Sequence, residues 1–231
     1  MYPLPHLVHF TILADPRERR PVDDMMDVLV YYIKNERSNN EKGIFPLMPV
    51  RAFIAIDVPI SRLKGVDEVL KALSSIPGVK CVETNNIHIT IRFLGDIPEG
   101  QFPAIESSIS EAIKGIPDFI IKVSGVGAFP SERDVRVIWI KAESGELEEV
   151  AKKINTAIDS LGFKPDKPFT PHITLARLKM MQFENACRKV IHTYKTMEFG
   201  SFNAGGIKLK KSTLTSAGPV YEDLKIWNLS S

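Results

Sequence analysis

The sequence predicts an α+β protein duplicated into two lobes, a bilobal fold whose two mostly antiparallel sheets face a central cleft with helices on the outside. Three observations predict it. From Arg51 onward, apolar strand-like runs alternate with amphipathic helical patterns. The order strand, helix, strand, strand, helix recurs. The opening strands at Arg51 and Val135, and the histidines His88 and His172, are each separated by the same 84 residues. A repeat of that size implies two similar supersecondary units, with a shared site most naturally in the cleft between them.

Arg51 to Val58 (RAFIAIDV) reads as a buried strand because it is almost continuously apolar. Ser61 to about Ser75 reads as a helix carrying Leu63, Val66, Val69, Leu70 and Leu73 on its apolar side. Val79 to Glu83 and Ile87 to Leu94 come next as strands, then a helix over about Glu99 to Lys114 and a strand within Phe119 to Val126. In the second half, Val135 to Ala142 (VRVIWIKA) is a strand, Glu146 to Leu161 a helix, His172 to Leu178 a strand and Phe183 to Tyr194 a helix. Strands near Ile207 to Leu214 and Tyr221 to Asn228 complete the chain, and hairpin-like neighbours make the sheets largely antiparallel.

Residues 1–49 differ from the rest of the chain. Leu4 to Leu13 suits a strand, Asp23 to Lys34 a helix and Glu36 to Gly43 a polar loop, with no chemistry-bearing pattern among them. His6 and His9 flank an apolar stretch without acidic or cysteine partners and read as packing or surface histidines. The expected organisation is therefore an N-terminal extension over 1–49, outside the site, and a two-lobed domain over 50–231. Met48, just ahead of the first firm strand, makes an upstream start codon one origin for the extension.

The 231 residues are 44% hydrophobic and 25% charged, ordinary for a globular protein, and carry a formal net charge of only +2. Nucleic-acid binding would have to come from a local patch, which argues against long duplex RNA as partner. Cys81 and Cys187 form no CxxC or Cys/His cluster and are too few for a disulfide framework, so a reducing cytoplasm is expected. No apolar run approaches the roughly 20 residues needed to span a bilayer, so no membrane role is expected.

The chemistry-bearing pattern is His88-Ile89-Thr90, repeated as His172-Ile173-Thr174. Side chains two apart on a strand share a face, so His88, Thr90 and Arg92 face one way, with Arg92 either a nucleotide contact or a solvated charge, and Ile89, Ile91 and Phe93 the other. His172, Thr174 and Ala176 repeat that face. Two of five histidines followed two places on by one of ten threonines would arise by chance about one time in fifty. Facing histidines suit simultaneous proton transfers, a neutral imidazole taking a proton from a nucleophile while an imidazolium gives one to a leaving group. Threonine hydroxyls and a guanidinium suit the non-bridging oxygens of a phosphoryl group. Each strand offers one strong metal ligand and no carboxylate on the same face, so neither metal nor other cofactor is expected. Lys208, Lys210 and Lys211 read either as a basic rim for phosphates or, as the favoured reading, as a charged strand edge that discourages aggregation. His192, within a helix, reads as structural.

RAFIAIDVP (51–59), HITIRFLGD (88–96), FPSERDVRVIWI (129–140), PFTPHITLARLK (168–179) and KSTLTSAGPVY (211–221) resemble the two-histidine (HxTx) phosphoesterase superfamily, and within it the RNA 2′,3′-cyclic phosphodiesterase or 2′-5′ RNA ligase family. The resemblance covers nearly everything after Val50 and nothing before it. It implies a bilobal fold with both motifs lining the cleft, His88 as proton donor and His172 as proton acceptor. It further implies Arg177 as a phosphate contact beside Thr90 and Thr174, and Phe93 as an aromatic stacking on a base. Strict alternation puts Arg177 and Phe93 on the face opposite the histidines, so these two assignments require a bend or bulge. The implied substrate is RNA or a nucleotide ending in a 2′,3′-cyclic phosphate, tRNA fragments included, hydrolysed to a 2′-phosphate, with ATP-independent 2′-5′ ligation as the companion reaction; a monomer is expected, and the alternatives are a nucleotide- or RNA-binding module without turnover and a phosphodiesterase for another cyclic or 2′-linked nucleotide.

Overall fold

The computed structural model describes residues 49–164, 168–216 and 218–229; the expected strand Leu4–Leu13 and helix Asp23–Lys34, with His6 and His9, lie outside them. The order of elements is β1 (Val50–Asp57), α1 (Val66–Ser74), β2 (Val79–Cys81), β3 (His88–Ile97), α2 (Phe102–Ala112), β4 (Phe119–Ser131) and β5 (Asp134–Glu143). It continues with α3 (Gly145–Ser160), β6 (His172–Leu178), α4 (Glu184–Thr193), β7 (Glu198–Ala204), β8 (Gly206–Leu214) and β9 (Pro219–Asn228).

All strand pairs among the described residues are antiparallel. The strands run β7-β4-β5-β6 in one half and β3-β1-β8-β9 in the other, with β2 alongside β6. One pair, Ile89 on β3 with Ile173 on β6, joins the halves into a single curled sheet. The duplication read from the sequence reaches down to individual residues. On β1 and β3, Ile56 faces Ile89, Ala55 faces Thr90 and Phe53 faces Phe93; on β5 and β6, Ile140 faces Ile173, Trp139 faces Thr174 and Val137 faces Arg177. The bridging isoleucines are themselves equivalent positions, so the join lies on the axis of the duplication.

Helices cover the face to which Ile89, Ile173 and Leu175 point, and those three side chains are fully buried. Leu147, Val150, Ala151, Ile154 and Ile158, three or four residues apart, give α3 a continuous apolar side, and Ser144 caps its N-terminus by accepting the Leu147 N–H. With the helices on one face, the other is left open, and it carries the histidines.

Three elements depart from expectation. The first helix starts at Val66 instead of Ser61, because Ile60–Arg62 forms a 3-10 turn and Gly65 turns the chain at φ 78°. A Cβ at Gly65 would also meet the Met197 methyl at 2.1 Å. Strand β7 has no clear period-2 signal, because a register shift opposite Val123 and Ser124 makes Phe199 and Phe202, three residues apart, both face the core. Strand β8 lies between β1 and β9, so Lys208 and Lys210 stand inside the sheet and do not form its edge.

Candidate active site

His88 and His172 open β3 and β6, one residue before the bridging isoleucines. The antiparallel register centred on that pair sets His88 toward Thr174 and His172 toward Thr90, placing all four polar side chains about one point on the open face. In each half the chain turns immediately before the strand so that a backbone carbonyl reaches the ring. His88 Nδ1 lies 2.7 Å from the Asn86 carbonyl, and His172 Nδ1 lies 2.7 Å from the Thr170 carbonyl. A carbonyl only accepts, so each Nδ1 carries a hydrogen and each neutral ring presents Nε2 as its basic nitrogen. His88 Nε2 is 2.9 Å from Thr90 Oγ1.

Both strands then bulge at the same place. Ala55 pairs with Thr90 but Ile54 with Arg92, leaving Ile91 extra; Trp139 pairs with Thr174 but Ile138 with Ala176, leaving Leu175 extra. An extra residue reverses the alternation beyond it. Phe93, 61% exposed, and Arg177 therefore return to the histidine face. The same bulge corrects the expectation for Arg92. Its side chain turns to the helix side, is 2% exposed, and donates to Asn155 Oδ1 at 3.0 Å, Asp159 Oδ1 at 2.7 Å and the Lys164 carbonyl at 2.7 Å. Arg92 ties β3 to α3 and does not reach the cleft.

The two histidines stand against different walls. Phe53 and Tyr221 lie 4.9 Å and 5.4 Å from the His88 ring, and Phe53 contacts Phe93 at 6.1 Å. Beyond them is a closed ring of four charges. Lys208 Nζ bonds Asp57 at 2.6 Å and Asp223 at 2.5 Å, and Lys210 Nζ bonds the same two at 2.9 Å and 2.7 Å. His172 instead meets Phe129 edge-on at 4.9 Å and Trp139 at 6.4 Å. Trp139 lies so close over Gly127 that a Cβ there would sit 2.5 Å from its ring, and the buried indole Nε1 has no hydrogen-bond partner among the described residues.

Burial pushes both imidazoles below the usual value of 6.5. The Asn86 carbonyl and Asp57 oppose this at His88, while Lys210 and His172 reinforce it. At His172 the Thr170 carbonyl opposes it and Arg177 reinforces it. Asp57 and Asp223 are held below the ordinary carboxylate range by the two lysines despite their burial. Burial raises the Tyr221 phenol, which keeps it neutral.

Phe53, Asp57, Phe129, Trp139, Lys210 and Tyr221 went unnoticed in the sequence as neighbours of the histidines. Their signal was present, since all but Lys210 fall in the family-like stretches, but only strand pairing shows which side chains of β1, β4, β5, β8 and β9 share a face with the histidines. A cavity of about 530 Å³ beside Asp57 and Ile87, lined also by Ser61, Asp67 and Thr84, lies at the end of β1 and β3 and not over the histidine pair. Among the described residues there is no cluster of three or more metal-ligating side chains, and no helix long and apolar enough to cross a membrane.

Two imidazoles with Nδ1 engaged by a carbonyl and Nε2 left for proton transfer, two hydroxyls and a nearby guanidinium define a paired-histidine site suited to phosphoryl chemistry by acid and base. The chain belongs to the LigT-like phosphoesterase family, whose model matches it twice, over residues 56–139 and 140–221, one match for each histidine motif. It is 39% identical over 179 residues to an RNA 2′,3′-cyclic phosphodiesterase of Archaeoglobus fulgidus, covering 77% of this chain and 99% of that one. It is 38% identical over 178 residues to the protein of the same name from Methanocaldococcus jannaschii, covering 77% and 100%. The crystal structure of a Thermus thermophilus protein superposes with a TM-score of 0.67 at 29% identity, over 78% of this chain and 97% of that one.

Proposed function

We propose that the chain is an RNA 2′,3′-cyclic phosphodiesterase that opens terminal cyclic phosphates to 2′-phosphates. The observation that carries this is the Ile89–Ile173 bridge, which sets two His-x-Thr strands side by side, and the names of the relatives supply the substrate class. In this reading His172 Nε2 takes a proton from water as its oxygen attacks phosphorus. The P–O3′ bond breaks on the opposite side, and His88 gives its Nε2 proton to O3′, leaving a 3′-hydroxyl and a 2′-phosphate. Thr90, Thr174 and Arg177 hold the non-bridging oxygens, whose charge grows as the ring opens. Phe93, exposed on the same face, offers a stacking surface to the terminal base. An RNA 5′-hydroxyl in place of water gives a 2′-5′ linkage without ATP, because the cyclic ester already carries the activated bond.

The RNA partner we propose is single-stranded, tRNA fragments among them, acted on by a monomer in the cytoplasm with no cofactor. Residues 1–49 lie outside the family match, and we place the whole activity in residues 50–231. The test is incubation with RNA ending in a 2′,3′-cyclic phosphate, in chelator, with and without a 5′-hydroxyl RNA, followed by identification of the new end or linkage. His88→Ala and His172→Ala should each lower hydrolysis by about 10²–10⁴-fold, and a chain starting at Pro49 should retain it. Full turnover in either alanine variant would overturn the mechanism; loss of activity in chelator would overturn its independence of metal.

A further inference from the structure

The duplication places chemically equivalent positions around the two histidines, and at one of them the charge is reversed. The residue opposite His88 on the neighbouring strand is Asp57; the residue opposite His172 is Lys141, 84 positions later. Lys141 is tied to Glu143, out along its own strand. Asp57 is instead held at both oxygens, Oδ1 by Lys210 and Oδ2 by Lys208, and both ammonium groups are held in turn by Asp223. The Lys210 side chain is only 10% exposed. A carboxylate fixed by two charge-assisted bonds has little freedom to swing away from the imidazole across the strand pair.

We infer that Asp57 is the positioning residue that equips His88, and not His172, to hold the transferable proton, with Lys208, Lys210 and Asp223 keeping Asp57 in place and ionised. The inference rests on the paired-histidine reading above and gives its division of roles a cause in this chain's own residues. An imidazolium taken out of water needs negative charge or acceptor oxygens nearby. His88 has three such partners, the Asn86 carbonyl, the Thr90 hydroxyl oxygen and the Asp57 carboxylate. Among the described residues His172 has the Thr170 carbonyl, with Arg177 as its charged neighbour and the aromatic rings of Phe129 and Trp139 as its wall. Every charged or titratable group facing His88 enters the balance: Asp57 from β1, Lys208 and Lys210 from β8, Tyr221 and Asp223 from β9, and His172 and Arg177 from β6. Of these only the two carboxylates favour the protonated ring. Asp223 stands two strands farther from β3 than Asp57 does. Lys210 acts against protonation more strongly than Asp57 alone acts for it, so the Asn86 carbonyl and the Asp57 carboxylate are needed together.

The ring therefore predicts shifts of opposite sign from its own members. His88 is followed by NMR titration of its imidazole without substrate, its signal assigned by loss in H88Q, and in parallel by the falling limb of the pH profile of kcat/KM for cyclic phosphate hydrolysis. D57N leaves Lys208 and Lys210 with Asp223 as their one shared carboxylate and should move the His88 titration and the falling limb to lower pH by about 0.5–1 unit, with His172 unmoved. K210M should move them upward. D223N, which breaks as many ion pairs, should shift His88 less than D57N. D57E should restore the wild-type position. Unchanged His88 titration in D57N, equal shifts in D57N and D223N, or a downward shift in K210M would each overturn the inference. If D57N does not fold, the K210M and D57E titrations decide by the same signs. Wild-type protein that fails to hydrolyse the substrate would overturn the functional reading instead, and the substrate-free titration would still judge Asp57.

Discussion

His88 and His172 owe their orientation to the hydrogen bond at Nδ1. Each donates to a carbonyl two residues upstream, which fixes one tautomer of the neutral ring and leaves Nε2 as the nitrogen available for proton transfer. Arg92 shows how differently a residue a few positions along the same strand can be used. By alternation it belongs with the histidines, yet one bulge sends it into contact with Asn155, Asp159 and the Lys164 carbonyl. Arg92→Met would leave those acceptors unpaired at a buried site and should cost about 1–3 kcal/mol of stability. The expected result is a lower urea midpoint with kcat/KM per folded molecule near wild type; a specific rise in KM for RNA would return Arg92 to the substrate. That residue was legible in the sequence by type and position, but the direction of its side chain was not, because period-2 reasoning carries no mark of an inserted residue.

At the scale of elements, the paired bulges at Ile91 and Leu175 decide what the site contains. Without them Arg177 would point into the helix layer, where Ala176 now sits with no exposed surface. Exchanging the two, Ala176→Arg with Arg177→Ala, would bury a guanidinium with no partner. It should destabilise the protein by about 3–5 kcal/mol, read as a fall in denaturation midpoint. Arg177→Ala alone should fold normally and lose about 10²–10³-fold in kcat/KM. Equal stability of the exchange and the single variant would show that β6 can slip its register. The cross-strand neighbours of the histidines belong to the same scale. Phe53 and Trp139 occupy strands read correctly as buried runs, and pairing alone turned one ring of each toward the cleft.

For the whole molecule, the half-buried histidines and the ion ring set how stability varies with pH. Both imidazoles have folded pKa values below 6.5, so on acidification the unfolded chain takes up protons first and the native state loses stability from about 6.5 downward. Asp57 and Asp223 have folded values below 3.8, so their stabilising contribution persists until the pH falls below the carboxylate range. The melting temperature should therefore decline between about pH 7 and pH 5.5, before any carboxylate is protonated. The decline should flatten in the double variant His88→Gln/His172→Gln. A wild-type melting temperature constant across that interval would contradict the lowered pKa values of the two histidines.

Amino-acid order alone determined the duplication, since two equal offsets of 84 residues and two His-x-Thr motifs are one-dimensional facts. It determined most strands and all four described helices within a few residues, because apolar periodicity is local. It also put both catalytic candidates on equivalent strands. Only the tertiary structure decided which side chains meet. The join of the halves at Ile89 and Ile173, the return of Phe93 and Arg177 to the open face, the loss of Arg92 to the helices and the capture of Asp57 by Lys208 and Lys210 all depend on register between strands far apart in the chain. Register is set by packing of both sheet faces at once, a non-local balance that no single stretch of sequence displays.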